Sequence, residues 1–460
     1  MSIKHRLTIM NFLQFFVWGA WLITIANYWF GTKNWDGTEF GAIFSTMGIA
    51  SLFMPTIIGI IADRWVNAEK LYIILHFLYA ICLISLAHVP DPDSFFTVIL
   101  LAMCCYMPTL ALSNSIAYTA LNQANYDLIK AFPPIRVWGT IGFIVAMWLT
   151  NLTGSKATEG QFYIAAGGSI LLAVYSIFNL PKCPPQHHIR ENASWTQMLG
   201  LESFKLFANY KMALFFIFSM FLGAALQLTN AYGDVFLDEF KYFPKYVDSF
   251  VIKYSTIIMS ISQISETVFI LAIPFFLKKF GIKQVMLIAM FAWVLRFGLF
   301  AYGNPSSGLW MIVLSCIVYG MAFDFFNISG SLFVETNTDN KIRSSAQGLF
   351  MMMTNGFGAI LGSRVSGWAI DKYYTKSFND SASLASFLDT TPDNPSLLNV
   401  IKEKGVEVSN GIFNQVIQLK DWQNIWIAFA IYTLIVAILF AVLFRHKHEV
   451  ESAAEEFKGH

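Results

Sequence analysis

Tyr254–Phe276 reads YSTIIMSISQISETVFILAIPFF. A helix needs about 20 mostly apolar residues to cross a bilayer, and this run has them. A strand of a membrane barrel would alternate over about ten residues, and this run does not. Near its middle stands Glu266. A second run, Gly308–Val334, reads GLWMIVLSCIVYGMAFDFFNISGSLFV and holds Asp324. A charge at mid-bilayer costs roughly 2.5–3.5 kcal/mol on insertion scales, so it seldom lies there without a partner, a cavity or a proton to carry. Each carboxylate has an amide three residues away on the same helix face, Gln263 before Glu266 and Asn327 after Asp324. The two pairs predict a polar binding surface inside a membrane protein.

The composition agrees. Of 460 residues, 56% are hydrophobic and 13% charged, against about 25% charged in an average soluble domain. That balance excludes an ordinary soluble enzyme. A net charge of +1 gives no reason to expect a nucleic-acid partner. The cysteines, Cys82, Cys104, Cys105, Cys183 and Cys316, lie mostly in apolar runs without metal spacing, and their odd number predicts no disulfide framework. The first apolar stretch, Leu7 to Phe30, is expected to be a retained helix and not a cleaved signal.

Twelve spans are predicted, over 7–30, 38–62, 71–89, 95–120, 137–153, 161–180, 212–232, 250–276, 282–302, 309–334, 344–371 and 422–444. If both termini are cytoplasmic, the inward segments carry seventeen Lys and Arg and the outward ones ten. That asymmetry favours both termini inside. The expected organisation is a six-helix bundle over 1–181, a cytoplasmic linker over 182–211, and a second bundle over 212–445. A long external loop over 373–421 and a cytoplasmic tail over 446–460 complete it. Two six-helix halves with a site at the midplane are the plan of a secondary transporter. The external loop is expected to be a solvated cap, with room for a short helix.

The first inward loop, GIIADRWVNAEK (59–70), resembles the signature of the major facilitator superfamily through Gly59, Asp63, Arg64 and Lys70, with Val66 where a second glycine is usual. Asp63 and Arg64 are the expected conformational latch; a purely topogenic loop is the alternative. Longer strings carry a closer likeness. They are NFLQFFVWGAWL (11–22), FPPIRVWGTIGFI (132–144), FFIFSMFLGAALQLTN (215–230), IIMSISQISETVFILAIPFFL (257–277), VYGMAFDFFNISGS (318–331) and SAQGLFMMMTNGFGAILG (345–362). They resemble the bacterial nucleoside:proton symporters of that superfamily. The resemblance implies an all-α protein of twelve transmembrane helices in the bacterial inner membrane, importing nucleosides with protons.

The residues support this independently. Arg136, Thr140 and Phe143 form one helical stripe with a cation, a hydroxyl and an aromatic face. Gln227 and Asn230 share a face, as do Gln263 and Glu266. Tyr319, Phe323 and Asn327 follow at helical spacing, with Asp324 beside them. A nucleoside needs hydrogen bonds for its ribose and base edge, and aromatic faces for stacking, worth about 1–3 kcal/mol per base. The resemblance implies that these eleven positions are substrate contacts. Each has a plainer alternative. Arg136 can be a topogenic charge and the aromatics ordinary packing. The amides can bond neighbouring helices, and the carboxylates can pair with Arg296 or Arg136. Gln14, Trp18, His76 and Asn114 are weaker candidates, and the glycines of 355–362 read as close helix packing.

The expected function is proton-coupled nucleoside import by alternating access, with Glu266 or Asp324 carrying the proton. A proton-coupled sugar symporter of the same fold is the alternative. An integral-membrane enzyme would need a His, Cys or Ser constellation near one face, and none is visible. No Gly-Lys phosphate loop is present for ATP-driven transport. No cofactor beyond the coupling ion H+ is expected. The expected partners are nucleosides such as uridine and adenosine, protons and the lipid bilayer, with the protein a monomer.

Overall fold

The computed structural model describes residues 2–126, 128–185, 201–338, 343–409 and 411–445. In a bilayer the backbone must satisfy its own hydrogen bonds, and long apolar runs do so as helices. The first group is α1 (Ile3–Gly19), α2 (Gly37–Arg64), α3 (Ala68–Leu86), α4 (Pro92–Gln123), α5 (Leu128–Leu152) and α6 (Gly160–Asn179). The second begins with α7 (Tyr210–Asp238), the short α8 (Phe250–Lys253) and α9 (Ser255–Met259). It continues through α10 (Ile261–Tyr302), α11 (Leu309–Asn337), α12 (Arg343–Met351), α13 (Ala359–Ala369), α14 (Ser381–Phe387), α15 (Pro395–Glu403) and α16 (Trp422–Leu443). Starts are set by side chains that accept orphan N–H groups: Asp91 before α4, Asn209 before α7 and Asp421 before α16.

Nine helices among the described residues are long and apolar enough to cross a membrane. The run Ser255–Tyr302 counts once there, yet Gly281, at φ 75°, bends α10 into two spans. The first and eleventh predicted spans are also present but broken. α1 stops at Gly19, and a π-helix covers Asn27–Thr32. The intervening turn is tolerated because Thr150 Oγ1 donates to the Ala20 carbonyl at 3.0 Å and Thr24 Oγ1 to Gln161 at 3.0 Å. Between α12 and α13 the π-helix Met352–Gly358 interrupts the eleventh span. With these, the twelve-span fold of the sequence is accounted for.

Small residues let backbones meet. A methyl on Gly320 of α11 would lie 2.6 Å from the Glu266 backbone nitrogen of α10. Gly41 of α2 and Gly367 of α13 each face the other helix's backbone with no room for a Cβ. Gly356, Gly358 and Gly362 also abut neighbouring helices, as the packing reading of 355–362 expects.

The external loop is not merely solvated. β1 (Thr375–Asp380), β2 (Val408–Ser409) and β3 (Ile412–Lys420) form an antiparallel sheet ordered β1-β3-β2. With α14 and α15 it closes over Phe378, Leu384, Leu397, Ile401 and Ile417, and Tyr242 from beyond α7 joins this core. The cap therefore folds on its own apolar centre.

The two groups of helices are joined at the cap end. The Asn27 amide donates to Asp234 Oδ2, and Asp371 accepts from the backbone N–H groups of Gly37 and Thr38. Lys156 pairs with Asp238 at 2.5 Å. Asn151 Nδ2 donates to the Lys253 carbonyl at 3.0 Å. The cap adds Lys404 to Asn34 at 3.1 Å and Lys420 over the Phe30 ring at 3.5 Å. This conformation is closed at the cap end.

Candidate functional site

Arg296, in the second half of α10, is fully buried. Its Nε donates to Thr229 Oγ1 at 3.2 Å, and its Nη1 to the Ser262 hydroxyl at 3.4 Å and the Ser315 carbonyl at 2.7 Å. One guanidinium thus sets a common level for α7, the first half of α10, and α11. Gln227, Gln263, Glu266 and Tyr319 lie within four residues of those anchors, about 6 Å along the axes at roughly 1.5 Å per residue. On α5, Trp148 Nε1 donates to Ser260 Oγ at 2.8 Å. Phe143 and Glu266 lie about 8–9 Å from that bond on their own helices, at matching depth.

Further from the cap, Thr140, Phe323 and Asp324 are about 12–14 Å from their anchors, and Arg136 and Asn327 about 18 Å. The candidates therefore form a column and not a single ring. Asn230 lies next to Thr229, at the top. Phe143 is 9% exposed and edge-on to Trp18, with centroids 6.3 Å apart. Tyr319 lies over Arg296 at 4.6 Å and stacks on Phe323 at 6.0 Å with the planes 10° apart. Arg136 rests over the Phe15 ring at 4.0 Å.

Several of these polar groups carry unused hydrogen-bonding capacity, as do Asn11, Asn151 and Tyr232 elsewhere in the interior. Asp324 is 4% exposed and its Oδ2 has no partner among the described residues. The side-chain oxygens of Gln227 and Gln263 are likewise buried and unpaired. None of Gln227, Asn230, Gln263 and Asn327 reaches a neighbouring helix through a side-chain hydrogen bond among the described residues. The reading of these amides as glue between helices thus finds no bond to support it. Among the described residues neither carboxylate makes an ion pair with arginine: Arg296 donates to hydroxyls and a carbonyl and keeps a buried Nη2 without a partner, and Arg136 rests on an aromatic face. A buried acceptor left unpaired costs about 1–3 kcal/mol, so each of these oxygens is a place where a further partner would be favourable.

The weaker candidates divide. Gln14 and His76 are consumed in a closed network: Gln14 Nε2 donates to Thr109 at 2.8 Å, and Gln14 Oε1 meets Tyr72 and His76 at 2.5 and 2.9 Å. Trp18 keeps a buried indole N–H without a partner beside Phe143. Asn114 is half-buried on α4. Asp63 lies outside the residues whose side chains are described; Arg64 ends α2. Sequence reasoning noticed Arg296 only as a cation for the carboxylates. Its role in tying three candidate helices together depends on hydroxyls too common to signal it. No group of His, Cys, Asp and Glu able to hold a metal occurs among the described residues.

The model of the nucleoside H+ symporter family matches residues 1–390. The nucleoside permease NupG of Escherichia coli is 47% identical over 449 residues, covering 97% of both chains. The xanthosine permease of the same organism is 47% identical over 452 residues, covering 98% of both. The crystal structure of the nucleoside transporter NupG superposes with a TM-score of 0.82 at 46% identity, covering 97% of this chain and 100% of that one. The agreement in fold and in sequence has one meaning: the chain belongs to the nucleoside H+ symporter family, a multi-pass membrane transporter that imports nucleosides with protons and not an enzyme.

Proposed function

We propose that the column binds nucleosides such as uridine and adenosine directly. Phe143, Tyr319 and Phe323 give the base its stacking faces. Thr140, Gln227, Asn230, Gln263 and Asn327 hydrogen-bond its edge and the ribose hydroxyls, with Arg136 at the far end. The observation that carries this reading is the set of buried acceptors on α7, α10 and α11 that no protein group satisfies. Glu266 and Asp324 lie one turn apart across the Gly320 crossing, and one of them carries the coupling proton. Protonation removes a buried charge, which lets the loaded carrier reorient. The relatives' printed names, nucleoside and xanthosine permease, support this substrate class.

The two bundles, 1–181 and 212–445, rock about this column while the 182–211 linker joins them. Asp63 and Arg64 latch the end away from the cap. The protein works as a monomer in the bacterial inner membrane with both termini cytoplasmic, so the cap faces outward. The test is uptake of labelled uridine and adenosine into proteoliposomes with and without an imposed proton gradient. Accumulation should require the gradient and be blocked by unlabelled nucleosides but not by hexoses. Gradient-free accumulation, or competition by hexoses, would overturn the reading.

A further inference from the structure

Where the cap meets the bundle there is a groove of about 320 Å³. Its volume is at the lower end of small-molecule sites, roughly 300–1,000 Å³. Tyr374, Lys376, Asp421 and Asn424 are its polar lining, and Ile427 and Ile431 its apolar floor. The floor runs into a face of α16 on which Ile431, Ile435, Ile438 and Leu439 are all exposed. On a membrane-spanning helix that face meets acyl chains.

The height of the groove is fixed by its neighbours. Trp368 is exposed, and one turn later the Lys372 ammonium lies 5.1 Å from its ring and 5.4 Å from that of Tyr373. Exposed Trp and Tyr beside a lysine mark the headgroup level. The upper, polar part of the groove is therefore at headgroup depth and the floor at acyl depth. The polar part carries both signs. Lys376 Nζ lies 2.8 Å from Asp421 Oδ2, and the Lys376 side chain is half exposed. Asn424 Nδ2 donates to the same carboxylate at 2.9 Å, which holds it in place. Lys372, over the ring of the lining residue Tyr373, adds a second cation. Among the described residues the Tyr373 and Tyr374 hydroxyls have no hydrogen-bond partner, so they add two free donors.

We propose that this groove is a binding site for one phospholipid whose headgroup bears both a phosphate and a primary ammonium. The phosphate meets Lys376 and Lys372, the ammonium donates to Asp421, and one acyl chain lies along Ile427 and Ile431. A quaternary ammonium has no N–H to give Asp421, and a glycerol headgroup has no cation. The bound lipid bridges the chain leaving the eleventh span and the start of α16, on the closed side of the carrier.

The test uses the full chain, stripped of lipid in detergent and titrated with short-chain phosphatidylethanolamine, phosphatidylcholine or phosphatidylglycerol under native mass spectrometry. The ethanolamine lipid should bind at least about tenfold more tightly than the choline lipid, as a charge-assisted hydrogen bond allows. Asp421→Asn keeps an N-cap oxygen for α16 and should shrink that preference to within about twofold. Lys376→Gln should weaken all three lipids. Both variants should bind nucleoside as the wild type does. Equal binding of the three lipids by the wild type, or preference unchanged in Asp421→Asn, overturns the proposal. Displacement of the lipid by inorganic phosphate at equal concentration also overturns it, by assigning the site to a free anion.

Discussion

Two walls of the helix bundle differ in how far their main polar clusters are satisfied, although Asn11 and Trp18 on the first also keep unpaired atoms. On the wall from α1, α3, α4 and α6, Gln14, Tyr72, His76, Thr109 and Ser169 consume one another. His76 Nδ1 meets Ser169 Oγ at 3.0 Å, and Tyr106 donates to the Gln14 carbonyl at 2.8 Å. On the wall from α7, α10 and α11, Gln227, Gln263 and Asp324 keep oxygens that nothing satisfies. The residue types are similar, and the difference is in the partners. A closed network rigidifies a bundle. An open one leaves hydrogen-bonding capacity unused. The histidine, which by type invites a proton-relay reading, belongs to the closed set, and the carboxylates belong to the open one.

The largest effects should come from the open wall. Glu266→Gln and Asp324→Asn should part company. The carrier of the proton should lose driven accumulation by about tenfold or more at every pH while exchange persists. The other should lose affinity by about 10–100-fold, the worth of a charged hydrogen bond. Driven uptake, exchange and binding measured on both variants assign the roles. Wild-type accumulation by both would make the open wall structural and erase the contrast.

Next come the aromatic faces. Phe143→Ala and Phe323→Ala should weaken nucleoside binding about 5–150-fold each, from stacking of about 1–3 kcal/mol per base. Equilibrium binding on purified variants that retain the wild-type melting profile checks this. Unchanged affinity would return both rings to helix packing.

The closed wall should respond differently. His76→Gln breaks bonds to Gln14 and Ser169, and should lower stability by about 1–3 kcal/mol while leaving the pH profile of driven uptake in place. Thermal unfolding and uptake between pH 5 and 8 are the measurements. A displaced pH profile would move His76 into the coupling machinery.

The fold was legible because twenty-residue apolar runs admit little besides helices, and the two carboxylates were legible because nothing in their own runs neutralises them. The open wall was half legible. The i,i+3 pairs Gln263–Glu266 and Asp324–Asn327 were visible as faces, but the lack of partners is a property of the assembled bundle. Arg296 hid for the same reason: its acceptors, Thr229, Ser262 and Ser315, come from three helices. The cap was expected as a solvated segment with a short helix, and its sheet and apolar core were missed although their pattern was present. In IFNQVIQLK the buried Phe413, Ile417 and Leu419 share one face, and α15 turns Leu397, Val400 and Ile401 inward. Polar spacing around short elements masked them.

The contrast extends to the cap, where Lys404 is an intermediate case. It has a neutral acceptor, Asn34, and lies over the Tyr242 ring at 5.1 Å, but makes no ion pair among the described residues. Burial lowers its pKa to about 8; Glu239 and Glu403 oppose the shift, and Lys420 and Lys241 reinforce it. The unfolded chain keeps the proton to near 10.5, the ordinary lysine value. Between about 8 and 10.5 the unfolded state therefore binds more protons than the folded one, and stability rises with pH across that window. Below about 8 the cost of holding the charge is present in full. Lys404→Met removes the group from the balance. The difference in melting temperature between wild type and Lys404→Met should be constant below pH 8 and move in favour of the wild type as the pH rises to 9.5. A difference that stays flat would mean that the charged lysine is fully compensated where it sits, and would place it with the closed wall.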